Sequence, residues 1–365
     1  MRRTDEILAA AEALREVGQR ARVYLSMPII EGVTPRALVD APNTHTSVDE
    51  SGLRRKDGIF KLDEVGLSPM DHVALYGDGV FEGILIRNKS IFLYREHMDR
   101  LDRSLEMTHI ALPVDRQRLT ERILDTCRQV ELPEGGAGYI RLVVTRGFGD
   151  LGINPKKCVS PTIFAIVSTI RLYPREAYRK GIPLGLTRKI RRPNATFVDP
   201  NIKSNNYLNN VLGLIEGTGD GIVESLMLNP QGYVAEATVD NVFSVARHSG
   251  WERDPSRVEL RTPSSEYCLE GITRAVAMRL AESRGYAVTV RDDMLPIDFV
   301  GADKECFITG TGAGVMPVTH IDGHPVGDAT PGPVTLGLVD DIQAMMDDPA
   351  NGLALDASKE QLASI

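Results

Sequence analysis

Apolar residues recur at helical spacing through the opening stretch, at Ile7, Leu8, Ala11, Leu14 and Val17, until Pro28, Pro35 and Pro42 interrupt the pattern. This predicts an N-terminal extension over residues 1–56, ending in the polar stretch Asn43–Lys56 and packing on the body of the protein or on a second subunit. From Ile59 onward, short apolar runs are separated by the turn formers Gly77-Asp78-Gly79 and Asn88-Lys89-Ser90, as in strands joined by turns. Helices are predicted over Glu96–Met107, with Met98, Leu101 and Leu105 on one face, and over Arg116–Val130. Gly138–Thr145 and Pro161–Ile170 read as strands, with the glycine-rich loop Arg146–Pro155 between them. A basic, proline-bearing stretch at 173–183 is expected to connect a first domain, 57–172, to a second, 184–348. In the second, strands are predicted at Leu184–Thr187, Glu224–Leu228 and Val242–Ala246, and helices at Tyr207–Glu216, Ile272–Arg284 and Leu336–Met346. Residues 349–365 read as a short tail. Without a regular βαβ repeat, the expected fold class is α+β or mixed α/β and not a doubly wound sheet.

Composition narrows the partners. The 365 residues suit two domains, and the formal net charge of −8 argues against a nucleic-acid backbone as ligand. No apolar run approaches the roughly 18 residues of a membrane helix. The first twenty residues mix acids with bases, so neither a secretory signal nor a transit peptide is expected. Cys127, Cys158, Cys268 and Cys306 form no CxxC pair, and the histidines form no HExxH group. Reduced thiols, a cytoplasmic protein and no metal site follow as expectations.

One lysine stands out. Lys203 lies in Asn201-Ile-Lys-Ser-Asn-Asn-Tyr-Leu-Asn-Asn210, among amides instead of the charged neighbours usual for a surface lysine. A lysine amine condenses reversibly with an aldehyde and later carries a proton, which suggests a Schiff base with pyridoxal 5'-phosphate (PLP). An ordinary exposed lysine is the plain alternative. His97 and Arg100 share a helix face, and the guanidinium fork of Arg100 suits the cofactor phosphate, or merely a solvated face. Gly271, Ile272 and Thr273 open a helix whose free amides make an anion site, although Thr273 also suits a simple cap. Thr311, in a Gly-Thr-Gly turn, is a further phosphate candidate. Glu236, in a small apolar setting, suits a pyridine nitrogen or a watery strand edge. Tyr139 and Arg141 alternate along one strand face and suit a substrate carboxylate; Tyr76 and Phe81 offer an apolar wall or core packing.

Taken together, YGDGVFEG, EHMDRL, YIR, GDLGINP, NIKSNNYL, EATVDNVF, LEGITR and ITGTGAGVMPV follow an order and spacing that resemble the class IV (fold-type IV) PLP-dependent aminotransferases, most of all the branched-chain amino acid aminotransferases. The resemblance spans roughly residues 62–345. It implies a small N-terminal α/β domain, a larger C-terminal domain and the cofactor in a cleft between them. It also implies a homodimer or higher homo-oligomer in which the loop near Leu151–Asn154 lines the partner's site. By motif it implies Lys203 as the Schiff-base lysine, Tyr207 beside the phenolic oxygen and Glu236 at the ring nitrogen. Arg100, Leu269, Ile272, Thr273 and Thr311 are implied around the cofactor, and Tyr76, Phe81, Tyr139, Arg141 and Gly312 around the substrate. The D-amino acid enzymes of the class carry an Arg-x-His trap where this chain has Arg146-Gly-Phe148, which favours L-amino acid substrates; 2-oxoglutarate is the expected partner in the second half reaction. A 4-amino-4-deoxychorismate lyase, or a D-amino acid or (R)-amine transaminase, is the alternative on the same fold. The chain departs from the usual Gly-Thr-Ala-x-Glu at Gly310-Thr-Gly-Ala-Gly314, and nothing in the resemblance accounts for the extension.

Overall fold

The computed structural model describes residues 4–41, 44–49, 52–133, 136–170, 173–219 and 221–362. Residues 171 and 172 at the expected domain boundary, and parts of the expected extension and tail (1–3, 42, 43, 50, 51 and 363–365), lie outside these. The chain divides into two compact units: Met1–Arg171 with Lys203–Asn206 and Pro349–Ile365, and Leu172–Ile202 with Tyr207–Asp348.

In the first unit, α1 (Thr4–Arg20) leads into β1 (Arg22–Pro28), followed by α2 (Arg36–Val39), β2 (His45–Val48) and β3 (Arg54–Lys61). Next come α3 (His72–Tyr76), β4 (Gly79–Arg87), β5 (Ser90–Phe92), α4 (Tyr94–Thr108), α5 (Arg116–Arg128), β6 (Ala137–Thr145) and β7 (Ile163–Ile170). The Asp71 side chain accepts the Val73 amide at the start of α3, and Gly77, at φ 69°, ends that helix in the left-handed region where a side chain is disfavoured. On α4, Met98 and Leu101 are fully buried, each stabilising by roughly 1.5–3 kcal/mol relative to exposure. They cover β4, whose Val80, Ile84 and Ile86 are buried as well.

The second unit begins with α6 (Arg175–Lys180), β8 (Ile182–Arg191), α7 (Leu208–Gly217), β9 (Glu224–Leu228), β10 (Val234–Ala237), β11 (Asn241–Arg247) and β12 (Val258–Pro263). It continues through α8 (Ile272–Ser283), β13 (Ala287–Arg291), β14 (Lys304–Gly310), β15 (Gly314–Ile321), β16 (His324–Pro325) and α9 (Pro333–Asp347). The strands run β10-β9-β8-β15-β14-β11-β12-β13, with β16 paired to β15. Parallel pairs (β8 with β9 and with β15, β12 with β13) are mixed with antiparallel ones, so the sheet is mixed and not doubly wound. Helices α8 and α9 pack on β14 and β15, and α7 packs on β8 and β9.

The chain then returns to the first unit with β17 (Gly352–Ala354) and α10 (Lys359–Leu362), completing a sheet ordered β17-β5-β4-β6-β7-β1-β3-β2. Three expectations are corrected here. The extension is no appendage: β1 lies inside the sheet between β7 and β3, with Val23, Leu25 and Met27 buried. Its apolar run is too short to carry a clear period, and Pro28, which reads as a break, sits at the strand's last residue, where a missing amide is tolerated. The connection at 173–183 contains helix α6 and the start of β8; its Pro174 and Gly181 are the cap residues of α6. The tail is a sheet edge, with Leu353 opposite Ile91 and with Leu353, Ala357 and Leu362 buried. The extension and the returning C-terminal segment enlarge the first unit, so that it holds at least as much chain as the second.

Candidate active site

In the first unit, the segment around Lys203 behaves as an added strand on β4. The Phe81 amide donates to the Lys203 carbonyl at 2.9 Å, the Asn205 amide donates to the Gly79 carbonyl at 2.9 Å, and Ser204 bridges Val80. The Lys203 amide donates to the Ser104 hydroxyl of α4 at 3.2 Å. These contacts fix the lysine backbone from two elements, and its Nζ lies 4.7 Å from the centre of the Phe81 ring. The Arg141 guanidinium carbon lies 4.4 Å from the same ring and 5.7 Å from that of Tyr139. Side-chain alternation explains the grouping. Phe81 and Gly83 on β4 share a face with Tyr139 and Arg141 on β6, where Gly83 pairs with Arg141. The unit therefore brings Lys203, Phe81, Tyr139 and Arg141 together. Tyr76 has a different engagement: its hydroxyl donates to the Leu151 carbonyl at 2.5 Å, and its ring meets that of His72 edge-on at 5.1 Å.

Glu82, on the other face of β4, is fully buried and accepts both Nε and Nη2 of Arg100 at 2.8 Å. His97 Nδ1 lies 2.8 Å from Glu82 Oε2. Burial raises the Glu82 carboxyl, but the Arg100 charge and the Arg100 and His97 hydrogen bonds outweigh it and hold the group far below the usual carboxylate range. Burial, with the Arg100 and Lys203 charges, pushes His97 down against the pull of Glu82. Arg100 is thus a guanidinium oriented bidentately by a buried carboxylate. Arg146, at the place of the D-specific trap, is committed to structure: it donates to Asp78 at 2.6 Å and to the Thr108 carbonyl at 2.8 Å. Phe148 is buried in a cluster with Leu25, Met27, Leu38 and Phe60.

In the second unit, Glu236 sits on β10 and is 5% exposed. Its Oε1 accepts Arg192 Nε at 2.6 Å; its Oε2 accepts the Leu269 amide at 3.2 Å and Asn241 Nδ2 at 3.3 Å. Asn241 also donates to the Leu269 carbonyl at 2.9 Å, tying β11 to the chain just ahead of α8. Gly271, the N-cap of that helix, has no side chain to offer the first-turn amides, which include Ile272 and Thr273. A Cβ at Gly271 would collide with Asn241 Oδ1, so only glycine allows this approach. Thr311 and Gly312 lie in the turn closed by the Gly310–Gly314 pair of β14 and β15, and half-buried Tyr207 precedes α7.

Each unit by itself carries groups whose chemistry suits PLP: the first holds a pinned lysine amine, the type that condenses with an aldehyde, and the second a glycine-capped helix start and a buried carboxylate, types that suit a phosphate and a ring nitrogen. Among the described residues, no group of His, Cys, Asp or Glu is arranged to hold a metal, and no helix is long and apolar enough to cross a membrane. The four cysteines are free.

The family model for amino-transferase class IV matches residues 79–321. The chain belongs to the class IV aminotransferase family. This class IV enzyme is a PLP-dependent transaminase acting on small molecules. A Methanocaldococcus jannaschii protein described provisionally as a branched-chain-amino-acid aminotransferase is 39% identical over 74% of this chain and 87% of its own length. The T.th. branched-chain amino acid aminotransferase, solved with pyridoxamine 5'-phosphate, superposes at a TM-score of 0.70 with 30% identity, over 80% of this chain and 93% of that one. The similar proteins also include a chloroplastic D-amino-acid transaminase of Arabidopsis thaliana at 28% identity, covering 78% of this chain and 73% of its own length. A 4-amino-4-deoxychorismate lyase from Pseudomonas aeruginosa superposes at a TM-score of 0.62 with 26% identity, over 78% and 97% of the two chains.

Reasoning from sequence left four residues of the site unassigned. Ser104 stands four after Arg100, so helical spacing already puts it on the same face. Glu82 and Asn241 lie inside quoted motifs, and Arg192 hides in the basic run before Pro193, where nothing local distinguishes it from a solvated arginine.

Proposed function

We propose that this transaminase moves the amino group of a branched-chain L-amino acid to 2-oxoglutarate and back, with Lys203 as the residue that bonds the cofactor and carries the proton. The observation that carries the proposal is the pinning of Lys203 beside Phe81 and Arg141. PLP, when bound, supplies an electron sink for negative charge at the substrate α-carbon. Lys203 acts first as base and then as acid, moving a proton from that carbon. The Phe81 ring offers an apolar wall to an aliphatic side chain, and Arg141 with the Tyr139 hydroxyl receives a carboxylate. Tyr76 and Gly312 complete the substrate side. Arg100, Leu269, Ile272, Thr273 and Thr311 hold the cofactor and its phosphate, with Tyr207 near the phenolic oxygen and Glu236 at the ring nitrogen. The burial of Phe148 and the engagement of Arg146 support an L-specific pocket over a D-specific one. Leu151 and Ile153, 74% and 78% exposed, support a homodimer that covers this loop.

A donor panel tests the substrate. L-Leucine, L-isoleucine and L-valine with 2-oxoglutarate should turn over at least tenfold faster than D-alanine or (R)-phenylethylamine with pyruvate, and 4-amino-4-deoxychorismate should release no pyruvate; faster D-donors or pyruvate release would replace this assignment. Borohydride reduction followed by peptide mapping should tag Lys203, and a tag elsewhere would remove that residue from the proposal.

A further inference from the structure

We propose that Arg192 is a positioning residue that holds Glu236 as an anion, so that the Arg192–Glu236 pair, and not Glu236 alone, keeps the proton on the cofactor ring nitrogen. This rests on the placing of Glu236 at that nitrogen in the preceding section.

The pair is short and sheltered: Arg192 Nε stands 2.6 Å from Glu236 Oε1, with the two side chains 13% and 7% exposed. At such burial a charge pair is weakly screened by water and salt. The arginine is itself held in place. Its amide donates to the Leu228 carbonyl at 2.8 Å, and its Nη1 donates to Asn210 Oδ1 at 3.3 Å. Asn210 in turn donates to the Thr238 carbonyl at 2.6 Å, so β9 ties the arginine's backbone while α7, itself tied to the turn after β10, braces the guanidinium. The second carboxylate oxygen takes donors from Asn241 and Leu269. Donors on both oxygens favour the ionised form.

A proton between a carboxylate and a pyridine nitrogen has two homes. On oxygen it leaves two neutral groups; on nitrogen it leaves an ion pair of the same total charge. A guanidinium touching the carboxylate lowers the energy of the ion pair and leaves the neutral pair almost untouched. Arg192 therefore shifts the proton to nitrogen, where it strengthens the electron sink. Another titratable group that feels Glu236 is the buried Cys268 thiol, pushed up to about 12 by burial first and by the Glu236 charge second. It stays neutral and offers no competing charge. Arg274 and Glu270 also act on that thiol, with opposite signs.

The test uses Arg192→Gln, Arg192→Lys and Glu236→Gln with two readouts that are independent of turnover. In the apoprotein labelled with 13C-glutamate, the Glu236 carboxyl signal, assigned by its loss in Glu236→Gln, is followed against pH. In the holoenzyme carrying PLP labelled with 15N at the ring, the nitrogen chemical shift reports its protonation. Arg192→Gln should make Glu236 take up its proton at least one pH unit higher than in the wild type and should move the ring nitrogen toward its unprotonated shift. It should lower kcat roughly tenfold to a hundredfold with KM for the amino donor changed less than threefold, and Arg192→Lys should restore most of each. Unchanged carboxyl and nitrogen signals in Arg192→Gln, whatever happens to activity, would overturn the proposal. A protonated ring nitrogen in Glu236→Gln would instead overturn the placing of Glu236, while the apoprotein titration still decides whether Arg192 controls its charge. If Arg192→Gln does not fold, the wild-type apoprotein decides: a Glu236 carboxyl already protonated at pH 5 refutes the role of Arg192.

Discussion

Gly83 lies beneath the hydroxyl of Tyr139: a Cβ built on the glycine would collide with Tyr139 Oη. Strand pairing fixes both backbones, since Gly83 is paired with Arg141 on the strand that carries Tyr139, so the half-buried tyrosine ring is the part that must give way. Gly83→Ala should therefore push the tyrosine ring aside and cost about 1–3 kcal/mol in overpacking. Steady-state kinetics should show a rise of roughly tenfold or more in KM for the amino donor, exceeding any fall in kcat; an unchanged KM would exclude Tyr139 from the substrate pocket.

Ser104 supplies the acceptor for the Lys203 amide. Ser104→Ala removes that partner at a part-buried position, a cost of roughly 1 kcal/mol. The expected result is a lower melting temperature together with faster hydrogen exchange at the Lys203 amide. Exchange at wild-type rate would mean that the β4 pairing alone fixes the lysine.

The buried group of Glu82, His97 and Arg100 ties stability to pH. A histidine in an unfolded chain takes up its proton at about pH 6.5, whereas folded His97, pushed down by burial, does so only at lower pH. Between those values the unfolded state binds more protons, so stability falls as pH falls. Glu82 adds the same sign further down: its stabilisation is complete above the ordinary carboxylate value of about 4.3 and is lost as pH drops toward its depressed folded value. Thermal melts from pH 7 to 5.5 should show a steeper decline for the wild type than for His97→Gln. Parallel declines would assign the slope to other groups.

At the start of α8, Gly271→Ala would drive a methyl group into Asn241 Oδ1. Displaced, Asn241 loses its bonds to Glu236 and to the Leu269 carbonyl, and the helix amides turn with the chain. PLP affinity, measured by titrating apoprotein and following the visible band, should weaken tenfold or more. Wild-type affinity would show that the phosphate does not sit at this helix start.

The strongly periodic parts of the chain were legible. The face of Met98, Leu101 and Leu105 identifies α4, and the strand Glu224–Leu228 appears with the bounds its apolar run suggests. Lys203 and Glu236 were singled out because their neighbours are chemically odd for their type, a signal that survives in one dimension. β1 was missed because seven residues ending in proline carry too little period to separate a buried strand from an irregular arm. β17 was missed because a three-residue edge strand has almost no pattern of its own. The partner of Glu236 was missed for another reason: Arg192 is 44 positions away, and only the pairing of β8, β9 and β10 brings the two together. Local chemistry can nominate a charged residue, but its counter-ion is decided by topology.

The first unit is assembled from three separate lengths of chain: the long N-terminal stretch, the four residues Lys203–Asn206, and the segment from Pro349 onward. A ribosome releases these in order, with all of the second unit emerging between the first and the last. The nascent N-terminal sheet must therefore wait, with the outer edge of β5 unpaired, until residue 354 has left the exit tunnel. No cut in the chain can divide the protein into two self-sufficient pieces.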